Sequence, residues 1–251
     1  MRNTERLRLL YCDHLSLARG KYLPLKDLKD GGAGFCRTTF GVHYDKDLLP
    51  APGAMMLEGC PDMEAKYLSS DIRESWNDEE HVVVGDLYDT DGNVLALCGR
   101  QALKRAIAEW EIKDLHPMIG IELEATAFVF NEDGHLEPYH TPGGFVYGTG
   151  PFSDPAGFTD AIWRRASEIG FNLDMISSEY FTPQFEFTLT FDRALKAVDD
   201  TFLFRLMARE IALEHGILLT FLPKPIPDIG GLGMHVNVSF QDAEGNNCIK
   251  T

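Results

Sequence analysis

The sequence has no apolar stretch long enough to cross a bilayer, no Cys-x-x-Cys pair, no basic stripe, and neither internal repeats nor low-complexity tracts. Each absence excludes a class of function. A membrane helix needs about 20 consecutive apolar residues, and none is found. The Arg-rich start, Met1 to Leu10, leads into an apolar run that Asp13 and His14 break at once, so no secretory leader is expected. Five scattered cysteines, Cys12, Cys36, Cys60, Cys98 and Cys248, read as reduced thiols and set the expected location in the cytoplasm. Lys and Arg number 23 against 39 Asp and Glu, a formal charge of −16. That surplus repels phosphate backbones and anionic lipids, which argues against nucleic acid or a membrane as the main partner.

At 251 residues and 44% hydrophobic content, the chain can bury a core as one large or two ordinary domains, and disorder is excluded. The first hundred residues are strand-rich. Leu7 to Asp13 alternates, and Gly20 and Pro24 bracket a second extended piece. Residues 29–63 lack helical periodicity, and His81 to Tyr88 is a β-branched run. A turn at Asp91-Gly92-Asn93 precedes an expected short strand, Val94 to Cys98. From Arg100, Ala102, Leu103, Ala106, Ile107 and Trp110 fall on one helical face, which places a domain boundary between residues 98 and 99. Strand and helix then alternate. Extended segments are expected at Pro117–Phe130, Phe171–Ile176, Pro183–Leu189, Ile217–Leu222 and Met234–Phe240, with helices at Asp154–Ile169 and Arg193–His215. The class is α/β or α+β. The long loop from Asn131 to Ser153 has the length of a functional segment.

Three of these strands are apolar on one face and polar on the other. Glu122 and Glu124 share a face opposite Ile121, Leu123 and Ala125. Gln184, Glu186 and Thr188 share one opposite Phe185, Phe187 and Leu189, with Glu179 just before them. His235, Asn237 and Ser239 share one opposite Met234, Val236, Val238 and Phe240. Glu-x-Glu alone is commonly a solvated face, and a lone strand histidine is commonly a satisfied hydrogen-bond partner. Three such strands in one sheet would gather four carboxylates and an imidazole, a set that suits Mg²⁺ or Mn²⁺ and, through them, phosphoryl transfer.

The ordered elements Glu122-Leu-Glu124, Glu179-Tyr-Phe-Thr-Pro-Gln184-Phe-Glu186, Lys224-Pro225 and Gly231-Leu-Gly233-Met234-His235 resemble the glutamine synthetase family. Arg8 to Asp13 with Arg19-Gly20-Lys21, and Asp86 to Gly92 followed by Arg100, are similar to its opening segments. The fold this resemblance implies is α+β. A β-grasp domain over residues 1–98 would precede a catalytic domain over 99–251, a curved antiparallel sheet with flanking helices, incomplete at its C-terminal end. The implied activity is ATP-dependent ligation of the glutamate γ-carboxylate to ammonia or a small amine through γ-glutamyl phosphate, with Mg²⁺ or Mn²⁺, in a ring-like homo-oligomer. By the same resemblance Glu124, Glu179 and Glu186 would hold one cation, and Glu122 and His235 the other. Gly231, with Glu124, would lie against the substrate, and Asp174, Phe191, Asn237 and Ser239 would bind ATP.

The chain departs from the family pattern in places. Gly230 stands where Asn is usual, Asn237 where a second His is usual, and Thr182-Pro183-Gln184 where Pro-Gly-Gln is usual. Such changes resemble those of γ-glutamyl-amine ligases. Asp45 and Asp62 are the candidates for the family's ammonium-binding loop acid. The resemblance further implies a continuation beyond Thr251 that carries a sixth ligating Glu, a flap and phosphate-gripping arginines. The alternative expectation is a non-catalytic relative acting as a structural or regulatory subunit.

Overall fold

The structure, a computed structural model, describes residues 6–25 and 28–249. The start of the Arg-rich segment, Met1 to Glu5, and the closing Lys250 and Thr251 lie outside them. The chain forms two compact units, Met1–Glu109 and Trp110–Thr251.

In the first unit, β1 (Arg6–Cys12), β2 (Ala18–Pro24), β3 (Gly31–Cys36), β4 (Asp62–Tyr67), β5 (Arg73–Glu74), β6 (Glu80–Val84) and β7 (Asp86–Asp89) form two sheets. One has the order β2-β1-β6-β5, with β1 and β6 parallel, and the other is an antiparallel β3-β4-β7 sheet. Leu7, Leu9, Tyr11 and Val83 of the first sheet share a core with Phe35, Met63, Ala65 and Leu87 of the second.

The expected run from His81 to Tyr88 is divided at Gly85, where the chain leaves one sheet for the other. A Cβ there would come to 3.0 Å from Leu9 Cδ1 and 3.2 Å from Ala65 Cβ, so any side chain would have to push the two layers' residues aside. The expected strand Val94 to Cys98 is reduced to a single bridge, Tyr88 to Val94. Cys98 already serves the next helix, its carbonyl accepting from the Ala102 amide. That helix, α1 (Gly99–Glu111), buries none of its residues. Strands β3 and β4 were not foreseen, because Gly-Gly-Ala-Gly offers no side-chain alternation to read.

The second unit contains β8 (His116–Phe130), β9 (Leu136–Pro138), α2 (Phe158–Glu168), β10 (Leu173–Ser178), β11 (Gln184–Arg193), α3 (Ala194–Glu214), β12 (Leu218–Thr220) and β13 (Met234–Gln241). Its sheet is wholly antiparallel and organised on β8. One edge of β8 pairs with β11, which in turn pairs with β10. The other edge takes β13 along His116–Leu123 and β12 along Thr126–Phe128. A 15-residue strand is long enough to seat two partners end to end on one edge.

Helices α2 and α3 lie over one sheet face. Leu203, Phe204, Met207 and Ala208 of α3, with Phe158 and Ile162 of α2, are fully buried alongside Leu123, Ala125, Phe185 and Phe187. The rings of Phe158 and Phe185 are 5.1 Å apart, and those of Phe187 and Phe204 5.6 Å apart. The helix expected from Asp154 starts at Phe158. The Asp154 carboxylate instead holds the preceding turn, accepting from the Tyr139 hydroxyl, the Gly157 and Thr159 amides and the Thr159 hydroxyl.

The apolar face of β13 differs from the other two strands. Met234, Val236 and Val238 are 53%, 52% and 51% exposed, because the helices cover β8, β10, β11 and β12 but leave this strand half open. Among the described residues no helix is long and apolar enough to cross a membrane.

Candidate metal centre

The face of the second sheet opposite the helices collects the charged residues. Antiparallel partners share a face, so register fixes the grouping. Glu186 on β11 stands across from Glu124 on β8, and Thr188 across from Glu122. On the other side of β8, His235 stands across from Glu122 and Asn237 across from Gly120. Glu122, Glu186 and His235 each offer a ligand atom, and these lie within 4.8 Å of one another. His235 Nδ1 is 2.9 Å from Glu122 Oε2, and its Nε2 is 3.8 Å from Glu124 Oε1. The Asn237 amide donates to Glu122 Oε1 at 2.9 Å, so both oxygens of Glu122 are engaged.

Three carboxylates in so small a space repel one another. Burial, followed by the charges of Glu179, Glu122 and Glu124, pushes the Glu186 carboxyl above its ordinary value of 4.5, with His235 acting in the opposite sense. The hydrogen bond to Glu122, with the charges of Glu124 and Glu186 adding to it, raises His235 from 6.5. Ser177 Oγ and Thr188 Oγ1 are buried without hydrogen-bond partners, and these residues face Glu186 and Glu122 directly across the strands. Oxygen-rich donors with one imidazole, held at like-charge cost beside unsatisfied hydroxyls, fit a hard divalent cation such as Mg²⁺ or Mn²⁺.

Not every residue singled out in the sequence joins this set. Glu179 stands outside it, its carboxylate accepting from the Tyr180 amide at 3.2 Å, though its charge still reaches Glu186. Gly231 lies against the Pro223 carbonyl, where a Cβ would approach to 2.9 Å. Ser239 pairs across from Met118, further along β13. Asp174 is the bulged residue of β10, exposed between Leu173 and Met175. Asp45 belongs to the first unit, where its carboxylate meets His43, and Asp62 pairs with Cys36 there.

Two glycines complete the site, and sequence reasoning gave neither a role. Gly120 is flanked by Phe191 and Asn237, whose Cβ atoms would lie 3.4 and 3.9 Å from a Cβ placed on it. The exposed Phe191 thus stands beside the polar face of β8, two residues along that strand from Glu122. Gly233 is tighter, since a Cβ there would sit 2.6 Å from both Glu124 Oε1 and His235 Nε2. Its carbonyl accepts from the Glu124 amide at 3.1 Å, which ties the loop to the carboxylate strand. Gly233→Ala is therefore expected to push aside the Glu124 carboxylate and the His235 ring and weaken Mn²⁺ binding about tenfold, with far-ultraviolet circular dichroism unchanged. An unaltered dissociation constant would show that Gly233 does not shape the centre.

The fold and site define a class before any comparison: a sheet-borne carboxylate and imidazole centre beside an exposed aromatic residue. A family model described as the glutamine synthetase catalytic domain matches residues 96–251. The chain belongs to the glutamine synthetase family, and its second unit is the sheet-rich α+β fold of that catalytic domain. It is 31% identical over 166 residues to a glutamine synthetase of Halobacterium salinarum, covering 66% of this chain and 36% of that protein. It is 26% identical to gamma-glutamylputrescine synthetase PuuA of Escherichia coli, covering 98% of this chain and 55% of that one. A solved GmaS/ADP complex superposes with a TM-score of 0.81 at 22% identity, over all of this chain and 56% of that one. The chain thus spans between about a third and somewhat more than half of the length of these relatives.

Proposed function

We propose that the chain forms the cation- and nucleotide-binding part of an ATP-dependent ligase that joins the γ-carboxylate of glutamate to ammonia or a small amine. The observation that carries this reading is the convergence of Glu122, Glu186 and His235 from three strands to within 4.8 Å. Glu124, 3.8 Å from His235, and Glu179, whose charge reaches Glu186, extend the acidic set. A bound Mg²⁺ or Mn²⁺ would supply charge neutralisation for a transferring phosphoryl group. The residues of the chain do the rest. Glu122 orients the His235 ring through its Nδ1, Asn237 steadies Glu122, and the exposed Phe191 beside Gly120 offers a stacking surface for a purine, with Asp174 and Ser239 assigned to the same nucleotide. Gly231 is assigned to the glutamate substrate. In this reading residues 1–98 correspond to a β-grasp domain and 99–251 to the catalytic part, in a cytoplasmic, ring-like homo-oligomer.

The relatives support a ligase of this type, since they include glutamine synthetases and gamma-glutamylputrescine synthetase. The test is ATP binding at saturating Mn²⁺. ATP should raise the melting temperature further, and Phe191→Ala should weaken ATP about tenfold, the usual cost of losing an aromatic stacking partner. Absence of any ATP effect in the parent chain would sink the proposal. A second reading, a non-catalytic structural or regulatory subunit, draws on Glu122. Its two oxygens are satisfied by His235 and Asn237 with no cation needed. Cation-independent stability would favour it.

A further inference from the structure

The segment between β3 and β4 is bracketed by two cysteines in the first unit. Cys36 closes β3, and its register partner is Asp62, the first residue of β4. The Arg37 amide donates to the Pro61 carbonyl at 3.0 Å, which carries the ladder past both strand ends and leaves Cys60 as the next residue. Cys36 Sγ lies 3.8 Å from the Cys60 carbonyl oxygen, so one thiol already touches the residue that carries the other. A disulfide requires Cα atoms roughly 4.4–6.8 Å apart, the spacing of neighbours on paired strands. Both side chains are exposed.

The backbone at Cys60 is strained. Its φ is +52°, in the left-handed region that glycine or asparagine ordinarily occupies, directly after Gly59 at +97°. The Cys60 amide donates to the Met55 carbonyl at 3.1 Å and so closes this turn. A cysteine kept where glycine would be unstrained points to a use for its side chain. The thiol makes a weak bond to the Met56 carbonyl at 3.5 Å. Packing around it is open, since Leu57 is 84% exposed and a Cβ on Gly59 would meet nothing within 4 Å. Cys36 has a different neighbour, the Thr38 hydroxyl, 2.8 Å from its sulfur.

We infer that Cys36 and Cys60 are a thiol pair that hydrogen peroxide converts into an intramolecular disulfide. The Cys36 thiolate attacks one peroxide oxygen, the O–O bond breaks, and the departing hydroxide takes up a proton as water. Thr38 is placed to donate to that hydroxide. Cys36 is now a sulfenic acid, and the Cys60 sulfur attacks it. The S–S bond forms, the S–O bond breaks, and the second hydroxide leaves as water with the Cys60 thiol proton. The thiols lose two electrons and peroxide gains them. The bond fastens residues 37–59, the segment that carries Asp45, at both of its ends.

The test treats the dilute chain with a few equivalents of hydrogen peroxide and reads it by mass spectrometry and non-reducing peptide mapping. The expected product has lost the mass of two hydrogens and links the peptides of Cys36 and Cys60, and dithiothreitol reverses it. Cys36→Ser and Cys60→Ser should each abolish the link, while Cys12→Ser and Cys248→Ser leave it intact. With dimedone present, Cys60→Ser should trap a sulfenic acid at Cys36. Trapping at Cys60 in Cys36→Ser should be about fivefold slower, the worth of one hydrogen bond in the transition state. Absence of the link in the oxidised parent, a bond between two chains in its place, or a link that survives either serine substitution overturns the inference. Equal or faster trapping at Cys60 overturns the order of attack.

Discussion

Glu186→Gln is expected to make the chain more stable without a cation and less stable with one. Glu186 faces Glu124 directly across the strands, and like charges so placed destabilise a sheet by about 0.2–1 kcal/mol. Replacing the carboxylate with an amide of the same shape removes that repulsion, so the cation-free variant should melt slightly above the parent. The same replacement removes a ligand oxygen from the Glu122, Glu186 and His235 set. Mn²⁺ at one hundred times its dissociation constant should add about 2.7 kcal/mol to the parent, and little of this should survive in the variant. The reversal of sign between the two conditions is the informative result. A purely structural carboxylate would be neutral or harmful to remove in both. Thermal melts of the two proteins, with and without Mn²⁺, suffice to decide.

The second large effect is on pH. Glu186 and His235 both have raised pKa values, Glu186 from burial and its carboxylate neighbours and His235 from its bond to Glu122. The fold therefore favours their protonated forms. This contribution to stability is fully present below the ordinary values of 4.5 and 6.5, and it is lost as pH rises through the raised folded values. Cation binding has the opposite slope, because ligation requires both groups to be deprotonated. Once the pH is below a group's folded pKa, each displaced proton should weaken the cation about tenfold per pH unit. Between about pH 7.5 and pH 5.5, the Mn²⁺ dissociation constant should rise by at least tenfold while the cation-free chain gains stability. His235→Asn should flatten the upper part of this profile. Equal Mn²⁺ affinity at both pH values would mean that these two groups are not ligands.

Much of the second unit is legible in the sequence because its faces are chemically distinct. The alternation of Phe185 and Phe187 with Gln184 and Glu186 states which side meets the helices, and the structure buries those phenyl rings accordingly. The pairing of Glu122 with His235 follows from register, and so could be anticipated only once all three strands were placed on a common sheet. The apolar residues of β13 show the limit of that logic, since a period of two marks a face as apolar without saying whether anything covers it. The first unit was less readable. Gly-Gly-Ala-Gly of β3 carries no face, and Gly85 ends one strand and begins another inside what reads as a single β-branched run. Gly120 and Gly233 act in the site through the side chains they lack, an effect visible only when the atoms that would collide are in place.

The central claim is that Glu122, Glu186 and His235, with Glu124 beside them, form a divalent-cation centre. Titration of the chain with Mn²⁺ at about pH 7.5, following free Mn²⁺ by electron paramagnetic resonance, tests it directly. The expected result is saturable binding in the parent that Glu122→Ala and His235→Ala each weaken at least tenfold. No binding by the parent, or equal binding by parent and both variants, would contradict it.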